Sequence, residues 1–188
     1  PFFSIITPVL NGEKFIEETI KSVINQSYKN FEYIVIDGNS QDRTKEIISK
    51  YITHIQKSVS EKDDGMYHAI KKGFDLSRGK YLLWLNSDDF LENNDVLINI
   101  KNYLFKNPNI EWLVGKPSYR YENIKKIFSF LPYRYPKWII QKGLAHNCRW
   151  GFIQQESTIF SRDLYYRSGG INSSYKMASD FYLWKSFS

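Results

Sequence analysis

Apolar runs and helically spaced apolar residues take turns along the first half of the chain. That alternation limits the fold more than any single motif. Phe3 to Val9 is an apolar run followed by Asn11-Gly12, a strand and then a loop. Glu13 to Ile24 sets Ile16, Ile20, Val23 and Ile24 at helical spacing. Phe31 to Ile36 is a second strand, apolar without a break, as in a parallel sheet covered on both faces. Asp37-Gly38-Asn39-Ser40 is a turn, with Ser40 placed to N-cap a helix that carries Ile47, Ile48 and Tyr51. His54 to Val59 reads as a third strand, Asp63-Asp64-Gly65 opens a helix with Met66, Ala69 and Ile70, and Tyr81 to Leu85 is a fourth strand.

Such alternation implies βαβ crossovers and an α/β fold with a mainly parallel central sheet flanked by helices. Polar residues recur just after the strands, at Asn11, Asp37, Asp63 and Asp88. The carboxyl ends of parallel strands are where ligands bind, so four separate stretches converge on one expected crevice. Farther on, a helix is expected from Glu92 to about Lys106, with Val96, Leu97, Ile100 and Leu104 inward. Strands are expected at Trp112 to Val114 and Glu156 to Phe160, a short helix at Arg162 to Arg167, and a helical start at Phe181. Residues 116–150 read as irregular, with breaks at Pro117, Pro132 and Pro136.

Three acidic stretches carry the chemistry. Asn86-Ser87-Asp88-Asp89 ends the fourth strand on two adjacent carboxylates. Like charges repel, and burying them unpaired is costly. Mg²⁺ or Mn²⁺ takes one or two carboxylates and completes its shell with phosphate and water, so this pair suits such an ion. The alternative is that one of the two caps the helix expected near Glu92. Asp63 and Asp64 precede a helix start, where one caps and the other accepts hydrogen bonds from a base or ribose, or both serve the helix dipole. Asp180 precedes an aromatic helix, as a cap or as a catalytic carboxylate.

The formal charge of +6 is unevenly spread. Between Lys116 and Trp150, eight basic residues face Glu122 alone, leaving a local charge of about +7. Such a surface suits phosphates or an anionic membrane. Its aromatic residues, Tyr133, Tyr135, Trp138 and Trp150, suit sugar stacking. Interleaved aromatic and basic residues also stack bases, but no nucleic-acid module accompanies them, so no nucleic-acid partner is expected. Cys148 is the single cysteine, which fits a reducing compartment, and it reads as a structural thiol beside a structural His146. No window is long and apolar enough for a spanning helix, and no secretory signal is expected, the first residues showing no basic segment ahead of an apolar one.

The segments SIITPVLNGEKFIEETIKSVINQSYKNFEYIVIDGNSQDRT, SEKDDGMYHAIKKGFDLSRGKYLLWLNSDD and QQESTIFSRDLYYRSGGINSSYKMASDFYLW together resemble a family 2 glycosyltransferase of the bacterial polysaccharide-biosynthesis type. The resemblance implies a GT-A fold, a Rossmann-like arrangement, over a single domain of residues 1–188. Residues 1–91 would bind a nucleotide-sugar, and residues 92–188 would form the acceptor side. It also implies a chain cut short at its C-terminus. Thr7, Pro8, Val9, Asn11 and Glu13 match the segment that cradles the nucleotide. Asp37 matches the acid that bonds the base, Asp63 the acid of the Glu-x-Asp-x-Gly segment, and Lys72 a lysine near the diphosphate. Asn86, Ser87 and Asp88 occupy the DXD position, with Asn86 in place of the first acid. Asp88 is then the expected metal contact and Asp89 the alternative. Asp180 matches the general base, and Gln155 and Glu156 line the acceptor side.

The activity implied by the resemblance is an inverting, metal-assisted transfer from a nucleotide-diphospho-sugar, UDP by default, to a hydroxyl of a glycan or lipid-linked acceptor. A divalent cation, Mn²⁺ or Mg²⁺, is implied. The Lys-, Asn- and Ile-rich composition fits a bacterium with an AT-rich genome. A cytoplasmic site of action, at the inner face of the membrane through residues 116–150, is the expected setting. A sugar nucleotidyltransferase would call for a glycine-rich basic loop after the first strand, where TPVLNGEKF has one Gly and one Lys. A non-catalytic sugar-nucleotide-binding module leaves the DXD-like motif and Asp180 without a role.

Overall fold

A computed structural model describes residues 1–115, 118, 136–142 and 153–188. The order along the chain is β1 (Phe3–Val9), α1 (Ile16–Ile24), β2 (Phe31–Asp37), α2 (Thr44–Lys50), β3 (Lys57–Ser60), α3 (Met66–Leu76), β4 (Tyr81–Trp84) and α4 (Val96–Lys106). Then come β5 (Trp112–Val114), α5 (Lys137–Gln141), β6 (Thr158–Ser161), α6 (Arg162–Arg167) and α7 (Ser179–Phe187). Short 3₁₀ turns at Ile52–His54 and Gln155–Ser157 lead into β3 and β6.

The six strands form one sheet in the order β3-β2-β1-β4-β6-β5. β1 pairs in parallel with β2 and with β4, and β2 with β3. The chain thus starts in the middle, winds outward to β3, and crosses back to lay β4 on the other side of β1. That reversal is a topological switch point, where the loops leaving β1 and β4 part and open a crevice. β6 alone runs against its neighbours, antiparallel to both β4 and β5. Its first residue, Thr158, therefore lies at the crevice end of the sheet.

Alternate residues of the strands feed two cores. Ile6, Ile34, Ile36, Leu82 and Trp84 face α3, α6 and α7, while Ile5, Tyr33, Val35 and Leu83 face α1, α2 and α4. α3 lies close on β1, because a Cβ at Gly73 would overlap Ile6. α7 is fixed by stacked indoles. Trp184 lies between Trp84, at 5.9 Å and 10°, and Trp112, at 5.5 Å and 17°.

Several element bounds differ from the sequence expectation, each for a local reason. α1 begins at Ile16 rather than Glu13, because Phe15 N and Ile16 N first close a turn on Gly12 O. Ser40 does not cap α2. Its hydroxyl donates to Asp37 Oδ1 at 2.5 Å and accepts Asn11 N at 2.8 Å. Gln41 N and Arg43 N go to Asn11 Oδ1 and Glu13 Oε2, both at 2.9 Å, so the helix starts at Thr44. β3 spans Lys57–Ser60, since residues 52–54 curl into a 3₁₀ turn. β4 ends at Trp84, although Leu85 N still donates to Ile6 O.

α4 starts at Val96, so neither Asp88 nor Asp89 caps it. Its start is served from the loop after α1: Gln26 Oε1 accepts Leu97 N at 3.0 Å, and Gln26 Nε2 donates to Asn93 O at 2.6 Å. β6 begins at Thr158 because the Ser157 and Thr158 hydroxyls fold back onto Gln154 O. α7 begins two residues before the expected Phe181. α5 arises where irregular chain was expected: Pro136 precedes it, and Ile139 and Ile140 are buried. From the basic stretch, Lys137, Trp138 and Lys142 are described. The Lys142 ammonium lies 5.9 Å from the Trp138 ring centre. The other basic and aromatic residues named there, with His146 and Cys148, lie outside the described residues.

Candidate active site

The switch point holds a cavity of about 390 Å³. Pro8, Val9 and Leu10 wall it from β1, and Gly38 from β2. Asp63, Gly65, Met66 and Ala69 wall it from the start of α3, and Asn86, Ser87 and Asp88 from β4. Thr7, by contrast, is buried below this wall and accepts the Tyr33 hydroxyl at 3.0 Å.

Two loops are stitched together beside the cavity. Glu13 N donates to Asp42 Oδ2 at 3.0 Å and Gly12 N to Thr44 Oγ1 at 2.9 Å, alongside the Asn11 and Glu13 bonds above. Asn11 and Glu13 thus hold the loop after β2 in place. Asp37 is only 1% exposed. Ser40 occupies its Oδ1, and the Ser60 hydroxyl donates to its Oδ2 at 2.5 Å. It clasps the end of β2, and Gly38 is the residue there that lines the cavity.

Asp63 neither caps α3 nor faces open solvent, with its side chain 5% exposed. Its Oδ1 accepts Lys72 Nζ at 2.5 Å and lies 3.2 Å from His68 Nδ1. Its Oδ2 is buried with no protein partner. Lys72 also pairs with Glu61 at 2.6 Å. Burial opposes the Lys72 charge, but its bonds to Asp63 and Glu61 outweigh that and hold its pKa above the usual lysine value. A buried carboxylate oxygen left open at the wall of a cavity is an acceptor awaiting a donor from a ligand.

Asp88 is exposed and also lines a second cavity of about 480 Å³ on the α4 side of the sheet, together with Asp89 and Glu156. Burial, and then the Asp88 charge, push Asp89 up to about 6, against a counteracting bond from Asn86. Burial likewise pushes Glu156 up to about 7, with the charges of Asp89, Asp88 and Asp180 adding to it. Glu156 Oε2 and Asn86 Oδ1 are buried without protein partners. Glu156 reaches this spot because it stands just before β6, the reversed strand; its neighbour Gln155 does not line the cavity. Asp180 lies in the first turn of α7, where its Oδ1 accepts the Tyr67 hydroxyl at 2.9 Å.

The donor set suits a hard divalent cation: exposed and half-buried carboxylates whose repulsion an ion would relieve, and unpartnered oxygen acceptors beside them. Among the described residues no cluster of three His, Cys, Asp or Glu forms a full cage. Asp88 and Asp89 would therefore hold an ion together with oxygens from a ligand.

Sequence reasoning passed over Thr19, Tyr67 and His68. The Thr19 hydroxyl lies 2.8 and 2.7 Å from the carbonyl oxygens of Ser87 and Asp89, pinning the acidic loop from α1. Its only sequence signal is a polar residue amid the buried face of an amphipathic helix.

Known proteins resemble this chain in sequence and in fold. An uncharacterised glycosyltransferase of Rickettsia prowazekii is 29% identical over 202 residues, covering 100% of this chain and 58% of that protein. The chain thus spans well under two thirds of that relative. The crystal structure of S. aureus TarS in complex with UDP-GlcNAc superposes with a TM-score of 0.77 at 20% identity, over 100% of this chain and 53% of the other. A mannosyltransferase of Pyrobaculum calidifontis in complex with GDP-Man and Mn²⁺ gives 0.66 at 20% identity, over 92% and 48%. The sequence model described as Glycosyl transferase family 2 matches residues 4–165. With its sheet folded as in the GT-A enzymes and most of its length matched by that model, the chain belongs to glycosyl transferase family 2.

Proposed function

We propose that this chain moves a sugar from a UDP-sugar to a hydroxyl of a glycan or lipid-linked acceptor, with inversion at the anomeric carbon. The observation that carries the reading is the switch-point cavity, walled on one side by Asp63, whose buried Oδ2 has no protein partner, and on the other by Asp88. The nucleotides bound by the TarS structure support UDP as the leaving group. Pro8 and Val9 would support the base, with Thr7, Asn11, Glu13 and Asp37 holding that wall, and Asp63 would accept from the nucleotide. Lys72 would offer its charge toward the diphosphate, and Asn86 and Ser87 would line its path.

Asp88, helped by Asp89, would hold a divalent cation that neutralises charge gathering on the leaving diphosphate. Asp180 takes the acceptor proton as the hydroxyl oxygen bonds to the anomeric carbon. The bond to the diphosphate breaks on the opposite face, and the nucleoside diphosphate leaves with the electron pair. Gln155 and Glu156 would border the acceptor. In this reading residues 1–91 hold the donor and residues 92–188 shape the acceptor side. The basic 116–150 stretch would hold the protein against the inner face of the bacterial membrane, where polysaccharide is assembled.

Calorimetric titration of UDP, GDP and dTDP, each with and without Mn²⁺, tests this on the wild type and on Asp88→Ala. The expected result is Mn²⁺-dependent binding of UDP that Asp88→Ala weakens at least ten-fold, the loss of one charge-assisted contact. A folded wild type that binds none of the three nucleotides would overturn the reading.

A further inference from the structure

Tyr67 lies two residues into the helix that walls the donor cavity, yet its hydroxyl points elsewhere. The ring is 7% exposed, and its Oη donates to Asp180 Oδ1 at 2.9 Å across 113 residues of sequence. The neighbouring Met66 and Ala69 line the donor cavity, and Asp63 stands just ahead of them. One helix therefore touches the donor cavity and the carboxylate assigned to the acceptor proton.

We infer that Tyr67 is a positioning residue for the transfer step, holding the Asp180 carboxylate by one oxygen so that the other meets the acceptor hydroxyl. This rests on the reading of Asp180 as the base. A carboxylate bonded through Oδ1 loses much of its rotational freedom, which is the kind of ordering that raises kcat rather than binding. Burial, and then the Asp180 charge, push the phenol up to about 12, so it stays a donor across the working range of an enzyme. Glu156, from the 3₁₀ turn ahead of β6, also feels the Asp180 charge.

A purely structural role competes with this one. The Tyr67 hydroxyl meets α7 in its first turn, and α7 has no side-chain cap of its own. The residue before it, Ala178, is left-handed at φ 61°. Losing the phenol would then only loosen the helix.

The deciding experiment compares wild type, Tyr67→Phe and Asp180→Asn in two readouts. One is the melting temperature, which reports any loosening of α7. The other is turnover of UDP-GlcNAc with water as acceptor. Tyr67→Phe removes the bond that holds Asp180 Oδ1, so the rate is expected to fall while the melting temperature stays in place. kcat should fall about ten- to a hundred-fold with KM unchanged. An unchanged kcat, or a loss of rate that tracks the melting temperature and raises KM, would overturn the inference. The two readings fail separately. A fully active Asp180→Asn sinks the base assignment. An inactive Asp180→Asn beside a fully active Tyr67→Phe sinks only the positioning role.

Discussion

Replacing Glu156 by glutamine should make the protein more stable at pH 8 and leave it unchanged in acid. Glu156 is held in the fold at about 7 against an ordinary 4.5, mainly by burial and then by Asp89, Asp88 and Asp180. A carboxyl raised in this way keeps its proton in the fold at pH values where the unfolded chain has lost it. Stability therefore falls as pH rises through the window from 4.5 to about 7. At about 1.4 kcal/mol per pH unit, the full penalty above that window is about 3 kcal/mol. Asp89, itself raised to about 6, shares part of this repulsion, so the two penalties do not add. Glutamine keeps the shape and carries no charge. Urea unfolding of wild type and Glu156→Gln in EDTA, at pH 4, 6 and 8, checks the reasoning. The gap between them should grow from near zero to about 2–3 kcal/mol in favour of the variant. A gap that ignores pH, or a variant less stable at pH 8, would refute the claim that these carboxyls crowd one another.

Three further outcomes concern other parts of the molecule. Asp63→Asn should weaken UDP binding about ten- to a hundred-fold by calorimetry, since it changes the acceptor left open at the cavity wall. It should also loosen Lys72, which retains Glu61. Gly73→Ala should destabilise the fold by about 1–3 kcal/mol in urea unfolding, because the new methyl group meets Ile6 where α3 lies on β1. Thr19→Val should leave the fold near its normal stability but free the carbonyls of Ser87 and Asp89, lowering Mn²⁺-dependent UDP affinity several-fold by calorimetry.

What the sequence discloses depends on how local its cause is. The bounds of β1, β5 and α6 can be read directly, because apolar continuity or a serine cap sets them within a few residues; Ser161 does cap α6, accepting Leu164 N at 3.1 Å. The start of α4 cannot be read that way, since Gln26, some 70 residues earlier, supplies its cap. The same holds for the turn ahead of α2, where Asn11 and Glu13 of another loop take Gln41 N and Arg43 N. At the site, the clustering of Pro8, Val9, Asp63 and Asp88 comes from their places at or just past the carboxyl ends of parallel strands. Which oxygen of each acid remains open does not. Asp37 and Asp63 look alike in sequence, yet serine hydroxyls occupy both oxygens of the first and leave one of the second unpartnered. The Tyr67–Asp180 bond joins two helices that only the fold brings together.

The reversed direction of β6 has a consequence for how such a protein can diversify. β5 ends at the crevice and β6 begins there, so the chain leaves the sheet at Gly115 and rejoins it at Ser157, both in the wall of the cavity that holds Asp88, Asp89 and Glu156. Gly115 N donates to Ser157 O at 2.6 Å, which ties the two ends together. A longer or shorter connection between those ends leaves the three parallel strand pairs behind the donor cavity with their own hydrogen bonds. Lengthening the turn after β6 would add chain at the opposite end of the sheet, where the chemistry would not feel it.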